Sequence, residues 1–133
     1  MTRETHVAVP YLSITGRVAA ADVSRIRRRV WAFAAEHGAS GMELAAIQIA
    51  VSEAVANAVE HGYDGSGGAI RVDADVEDGE LEIVVTDGGR GFTSEPGGGL
   101  GLGLALMRAG ASAFEVRDRP LGGVEVWMRF TVG

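Results

Sequence analysis

Residues 70–87 constrain the fold more than any other stretch of this chain. Ile70, Val72, Ala74 and Val76 alternate with Arg71, Asp73 and Asp75, and Leu81, Ile83 and Val85 alternate with Glu82, Val84 and Thr86. Successive strand side chains point to opposite faces, so a period of two means a strand with one buried side. Between the two runs stands Glu77-Asp78-Gly79-Glu80. Asp-Gly is a dipeptide suited to the two left-handed positions of a tight hairpin turn. A register slip of one residue would turn an entire apolar set to water, so the pairing is specified. Asp87 continues the inward series of Leu81, Ile83 and Val85. A carboxylate therefore stands at the end of a buried face, where it needs a partner.

The rest of the chain fills in around this hairpin. Thr5–Pro10 and Leu12–Gly16 read as two short strands. Asp22 is the predicted N-cap of a helix through about Glu36, with Val23, Ile26, Val30 and Phe33 as its apolar stripe and His37-Gly38 as its end. Ser40, with Glu43 three residues on, opens a second helix that runs to about Glu60. At about 100° per residue, Leu44, Ile47, Val51, Val55 and Ala58 share one arc, while Glu53, Asn57 and His61 fall on the opposite one. Residues 62–68 form a loop, Gly88–Gly99 a glycine-rich loop, and Leu100–Ala109 a third helix. Phe114 and Val116 belong to a strand, Pro120–Gly123 turns the chain, and Val124, Val126, Met128 and Phe130 give the last strand. This mixture predicts an α+β fold in one domain spanning residues 1–133. The architecture expected is a two-layer sandwich: a mixed, mostly antiparallel sheet with helices on one face.

Composition narrows the function. The 133 residues are 47% hydrophobic, enough for a core. A net charge of −6 argues against a nucleic-acid surface, which needs a basic field. There is no unbroken apolar run of about 18 residues, and Arg3, Glu4 and His6 break up Met1–Tyr11, so neither a membrane span nor a leader is expected. The absence of cysteine excludes disulfides and thiolate metal sites and fits the reducing cytoplasm. The chain has no lysine, so any nucleotide is not bound by a Walker A loop. Of 20 glycines, 11 lie between Gly88 and Gly123, so the second half carries backbone demands that the first half lacks.

Three segments carry candidate chemistry. Glu53 and Asn57 lie one helical turn apart. Magnesium wants hard oxygen ligands and keeps several waters, so an amide oxygen such as that of Asn57 can supply one ligand while phosphates supply others. A carboxylate at Glu53 can take the proton of an attacking hydroxyl. The pair equally fits the solvated side of an amphipathic helix. Asp87 could accept a hydrogen bond from an exocyclic amino group, with Gly89 and Gly91 letting the backbone approach a ring, or it could simply close a strand in an Asp-Gly turn. Gly99, Gly101 and Gly103 ahead of a helix could turn backbone N–H groups toward phosphates. Their late position, after a loop, does not fit a dinucleotide fingerprint. Arg25, Arg28 and Arg29 read either as a contact face for an acidic partner or as a solvated helix side.

Taken together these residues resemble a known pattern. Glu53, Asn57 and His61-Gly62-Tyr63 resemble the N box of the GHKL (Bergerat-fold) ATP-binding superfamily. Asp87-Gly88-Gly89-Arg90-Gly91 resembles its G1 box and Gly99–Leu104 its G2 box. The order of elements, and the segment SEAVANAVEHGY at residues 52–63, are most similar to bacterial anti-sigma factor serine kinases. The resemblance spans nearly the whole chain. It implies ATP and Mg2+ as cofactors, with Glu53 as general base for transfer of the γ-phosphoryl to a serine of an anti-sigma antagonist protein. It implies Asn57 as the magnesium ligand, Asp87 as the adenine-binding residue, and Gly89, Gly91, Gly99, Gly101, Gly103 and Leu104 around the nucleotide. It also implies sequestration of a sigma factor and a homodimer. Two features depart from the pattern. The lid segment Phe92–Gly98 is short and lacks a basic residue, and Gly122-Gly123-Val124 stands where a Gly-Thr-Thr-like sequence is common. The alternative is a non-catalytic nucleotide-binding module that regulates by sequestration. A detached histidine-kinase catalytic domain is disfavoured, since no helix with a phosphoacceptor histidine precedes the N box.

Overall fold

The computed structural model describes residues 9–62, 67–88, 105, 107–120 and 122–133, with backbone alone at 61 and 62. The elements in chain order are β1 (Tyr11–Val18), a short 3-10 turn (Ala20–Asp22), α1 (Val23–Glu36), α2 (Gly41–Asn57), a π turn (Ala58–Gly62), β2 (Gly68–Glu77), β3 (Glu80–Asp87), β4 (Ala113–Asp118) and β5 (Val124–Thr131). The strands form one sheet in the order β1-β2-β3-β5-β4. Every described pairing is antiparallel, the limit of the mostly antiparallel sheet expected. With α1 and α2 packed on one face, this is the α+β sandwich.

The hairpin forms in the expected register. Val76 faces Leu81 and Glu77 faces Glu80 across it. Asp78 (φ 53°) and Gly79 (φ 74°) both sit in the left-handed region, as a tight primed turn requires. The register then carries one row of branched apolar side chains across all five strands: Ile14, Val72, Val85, Val126 and Val116. The residues buried behind this face form one cluster, in which Ile26 and Val30 from α1 and Ile47 and Val55 from α2 are fully enclosed. Branched side chains in such a row pack closely on a pleated surface.

Local sequence sets the helix starts, with one correction. Glu43 Oε1 accepts the Ser40 N–H at 3.1 Å, the reciprocal arm of a capping box, and also takes the Gly133 N–H at 3.4 Å. Asp22 stands at the N-cap position of α1 as expected, but its side chain makes no capping bond to the helix. It reaches back to accept the Ala19 N–H at 2.9 Å and so closes the 3-10 turn that leads into α1. Its own backbone is already near helical, which leaves the carboxylate aimed at the preceding turn.

α2 differs from expectation in two ways. Its α-helical run ends at Asn57, and the continuation to about Glu60 is a π turn over 58–62. Its apolar side is also wider than the five residues on the expected arc. Ala50 and Ala54 are buried as well, while Met42, Ala45 and Ile49 are exposed on the outer side. With so few polar interruptions, the stretch Gly41–Glu60 is long and apolar enough to cross a membrane by length and composition, at a mean hydropathy of 1.3. In this fold its buried arc is already taken by α1, β3 and β5.

Other expectations fall partly outside the described residues. Thr5–Ala8 of the first short strand lies outside them, and Val9 and Pro10 are not strand, although Pro10 C=O accepts the Val76 N–H at 3.3 Å. β1 extends beyond the expected Leu12–Gly16 at both ends. Of the third helix, Ala105, Met107 and Arg108 are helical, and Met107 is buried. Leu100–Leu104, Leu106 and most of the Gly88–Gly99 loop lie outside the described residues.

Candidate functional site

Glu53 and Asn57 occupy successive turns of α2, both half-buried. Asn57 Nδ2 is enclosed and has no hydrogen-bond partner, and neither has Ser52 Oγ beside Glu53. A buried donor left unpaired costs about 1–3 kcal/mol. Native structures hold few such groups, and each calls for an explanation such as a missing ion or ligand. The position follows from the helix. Asn57 is the last residue in α-helical register, and the π turn that begins at Ala58 widens the backbone after it. Single π turns in helices occur frequently at functional sites.

Glu53 opens onto a cavity of about 520 Å³ lined by Arg27, Gln48, Ile49, Ser52 and Glu53. Ile49 also borders a second hollow of about 430 Å³, walled by Met42, Glu43, Ala45, Ala46, Ala109 and Gly110. The outer side of α2 is thus a shallow trough with a carboxylate in each hollow, Glu53 in one and Glu43 in the other. Arg27 was not among the candidates read from sequence. It comes from α1, 26 positions earlier, and only the packing of α1 on α2 brings it beside Glu53.

Asp87 ends β3 on the buried side at 6% exposure, the one buried charged residue among those described. Ile70 and Val124 flank it across the sheet. The β4–β5 turn grips the backbone at this point. Arg119 N–H bonds Gly123 C=O and Gly122 N–H bonds Arg119 C=O, each at 3.0 Å. Arg119 Nη1 donates to Asp87 C=O at 3.3 Å. Gly123 has φ 95°, and a Cβ there would lie 2.0 Å from the Asp87 carbonyl oxygen. No side chain fits at Gly123, so the geometry of this turn requires glycine at that position.

The three described candidates share the helix-covered side of the sheet: Glu53 and Asn57 on α2, and Asp87 on β3, over which α2 packs. Gly89, Gly91, Gly99, Gly101, Gly103 and Leu104 lie outside the described residues, as does the His61 side chain. No group of three or more His, Asp or Glu side chains converges as a metal cage among the described residues. The donors fit a magnesium ion only in the manner of a nucleotide-bound one, with a single protein amide and the remaining ligands from phosphate and water.

The other residues weighed in the sequence have ordinary settings. Arg25 pairs with Asp22 at 3.5 Å, and Arg28 and Arg29 are exposed. Trp127 lies on the uncovered sheet face, with the Arg129 and Arg117 guanidinium groups 4.8 and 5.9 Å from its ring. On that face Asp73 accepts hydrogen bonds from Tyr11 (2.6 Å), Ser13 (2.8 Å) and Arg71 (2.7 Å). Partial burial works against its charge, but these bonds win and hold the carboxyl below its usual range. Asp75 is pushed the other way, first by burial and then by the charges of Glu82 and Glu77.

Comparison with known proteins agrees with this arrangement. Residues 17–130 match the family described as histidine kinase-like ATPase domain. The chain is similar to the anti-sigma F factor of Clostridium acetobutylicum, 33% identical over 115 residues, which cover 77% of this chain and 80% of that protein. It is similar to the anti-sigma F factor of Shouchella clausii, 32% identical over 116 residues with the same coverages. A third, from Thermoanaerobacter sp., is 33% identical over 119 residues, 80% of this chain and 83% of that protein. The open sheet backed by two helices accords with that match, and the chain belongs to the histidine kinase-like ATPase domain family.

Proposed function

We propose that this chain is a cytoplasmic anti-sigma factor that binds ATP with Mg2+ and phosphorylates a serine of an antagonist protein. The observation that carries the reading is the enclosed, unpaired Nδ2 of Asn57, one turn from Glu53 on α2. Membership of the ATPase family and relatives called anti-sigma F factor support it. Asn57 presents an amide oxygen of the kind magnesium accepts, and its free Nδ2–H groups can meet phosphate oxygens. Asp87 takes the adenine amino group from the buried end of β3. Bound magnesium would neutralise charge on the phosphate oxygens. Glu53 accepts the serine hydroxyl proton as the serine oxygen bonds to phosphorus and the bond to the departing ADP oxygen breaks. A sigma factor and the antagonist are the partners, and the chain acts as a single domain that pairs as a homodimer.

The test is phosphoryl transfer from ATP to a candidate antagonist. In Glu53→Gln, transfer falls by at least about 100-fold while ATP affinity stays within about threefold of wild type. Transfer that survives in that variant removes Glu53 from its role. The short segment Phe92–Gly98, which has no basic residue, motivates a second reading, a module that binds nucleotide and sequesters its partner without transfer. ATP binding with no transfer to any antagonist, and tight partner binding in both nucleotide states, would favour that reading.

A further inference from the structure

Arg119 lies outside the three segments that carry candidate chemistry. It follows the end of β4, and the turn it begins is folded back on β3. Three contacts converge there. The Arg119 backbone bonds Gly123 and Gly122. Gly123 presses on the Asp87 carbonyl oxygen so closely that a Cβ could not be placed between them. The Arg119 guanidinium donates to that same oxygen at 3.3 Å. A charged donor on a backbone carbonyl makes a stronger hydrogen bond than a neutral one. It acts on the residue that ends the strand and begins the glycine-rich segment, where pairing with β5 stops after Val124. The direction in which the Asp87 side chain points depends on the φ and ψ of that residue, and its peptide is held from outside the strand ladder by Arg119.

We infer that Arg119 is a positioning residue for base recognition: through the Asp87 carbonyl it fixes the orientation from which the Asp87 carboxylate reads the adenine amino group. The inference rests on the assignment of Asp87 to adenine. It adds that base selectivity depends on the β4–β5 turn, a part of the chain distant in sequence from all three motifs. A guanidinium that served only to fasten the turn would affect stability and leave the choice of base unchanged.

The experiment is calorimetric titration of the full chain with Mg-ATP and Mg-GTP for wild type, Arg119→Ala, Arg119→Lys, Asp87→Ala and the double variant, with thermal unfolding of each. In Arg119→Ala the ATP dissociation constant rises about tenfold, the size of one charge-assisted hydrogen bond, and the ATP-to-GTP preference narrows by a similar factor. Arg119→Lys, which keeps a charged donor, recovers part of the preference. In the Asp87→Ala background, Arg119→Ala has no further effect on selectivity, because the two act as one unit. An unchanged ATP-to-GTP ratio in a folded Arg119→Ala, or independent effects in the double variant, overturns the inference. If Arg119→Ala does not fold, the comparison of Arg119→Lys with wild type decides, and an identical ratio overturns it. Failure of the wild type to bind ATP is a different result, which overturns the proposed function itself.

Discussion

Asp75 and Asn57 show how single residues here are placed against their own stability. Asp75 stands directly opposite Glu82 in the β2–β3 ladder. Like charges across a strand pair destabilise by a few tenths to about 1 kcal/mol. Burial, Glu82 and Glu77 raise its pKa, with Arg129 only partly opposing them. A raised folded-state pKa means that protonation favours the folded form, so the penalty is greatest at neutral pH and disappears below the usual carboxylate range. Asp75→Asn is therefore expected to raise the melting temperature by a few degrees at pH 7, with the gain vanishing near pH 3–4, as thermal melts across pH would record. Asn57→Ala removes an unpaired enclosed donor. It is expected to leave stability within about 1 kcal/mol of wild type while ATP affinity falls by about tenfold or more; parallel denaturation and titration check both. Glu53, Asn57 and Asp87 were legible in the sequence because helical and strand periods fix which way they face. Arg27 and Arg119 were not, because their contacts exist only after elements far apart in sequence have packed.

Among the elements, the β2–β3 hairpin and the start of α2 were readable almost to the residue. In each, a local signal (Asp78-Gly79, and Ser40 with Glu43) coincides with the start or stop of a hydrophobic period. The end of α2 was not readable, because nothing in Ala58–Gly62 distinguishes a π turn from continued α-helix. The outer side of α2 was misjudged for another reason. Glu53 and Asn57 mark a polar stripe, but Met42, Ala45 and Ile49 lie exposed on the outer side as well. On the inner side, Ile47 is fully enclosed, and Ile47→Ala is expected to cost 2–5 kcal/mol, roughly, in urea unfolding. The β4–β5 turn has a sharper requirement. Gly123→Ala would combine a left-handed backbone with a contact no Cβ can make. A loss of about 2 kcal/mol or more is expected from the same measurement.

For the molecule as a whole, what the sequence could not supply was the order of strands. β5 inserts between β3 and β4, so the last strand lies beside the hairpin and an earlier strand becomes the edge. Nothing in local periodicity encodes that non-local pairing. The result has two unlike sides. The inner side is covered by α1 and α2, and the outer side is a lattice of exposed and half-exposed ion pairs, Arg71–Asp73, Arg129–Glu82 and Arg117 with Glu115 and Glu125. Such pairs contribute little individually and are screened by salt. The melting temperature is therefore expected to move by only a few degrees between 0.05 and 1 M NaCl, roughly, since stability resides in the enclosed apolar face. The same division separates the two indoles. Trp31 stands 40% exposed on α1, in the helical layer. Trp127 sits on the other side of the sheet between two guanidinium groups. The chain therefore carries a built-in optical label on each side. In Trp31→Phe and Trp127→Phe variants, the emission that shifts when a protein partner binds tells which side of the sandwich it covers.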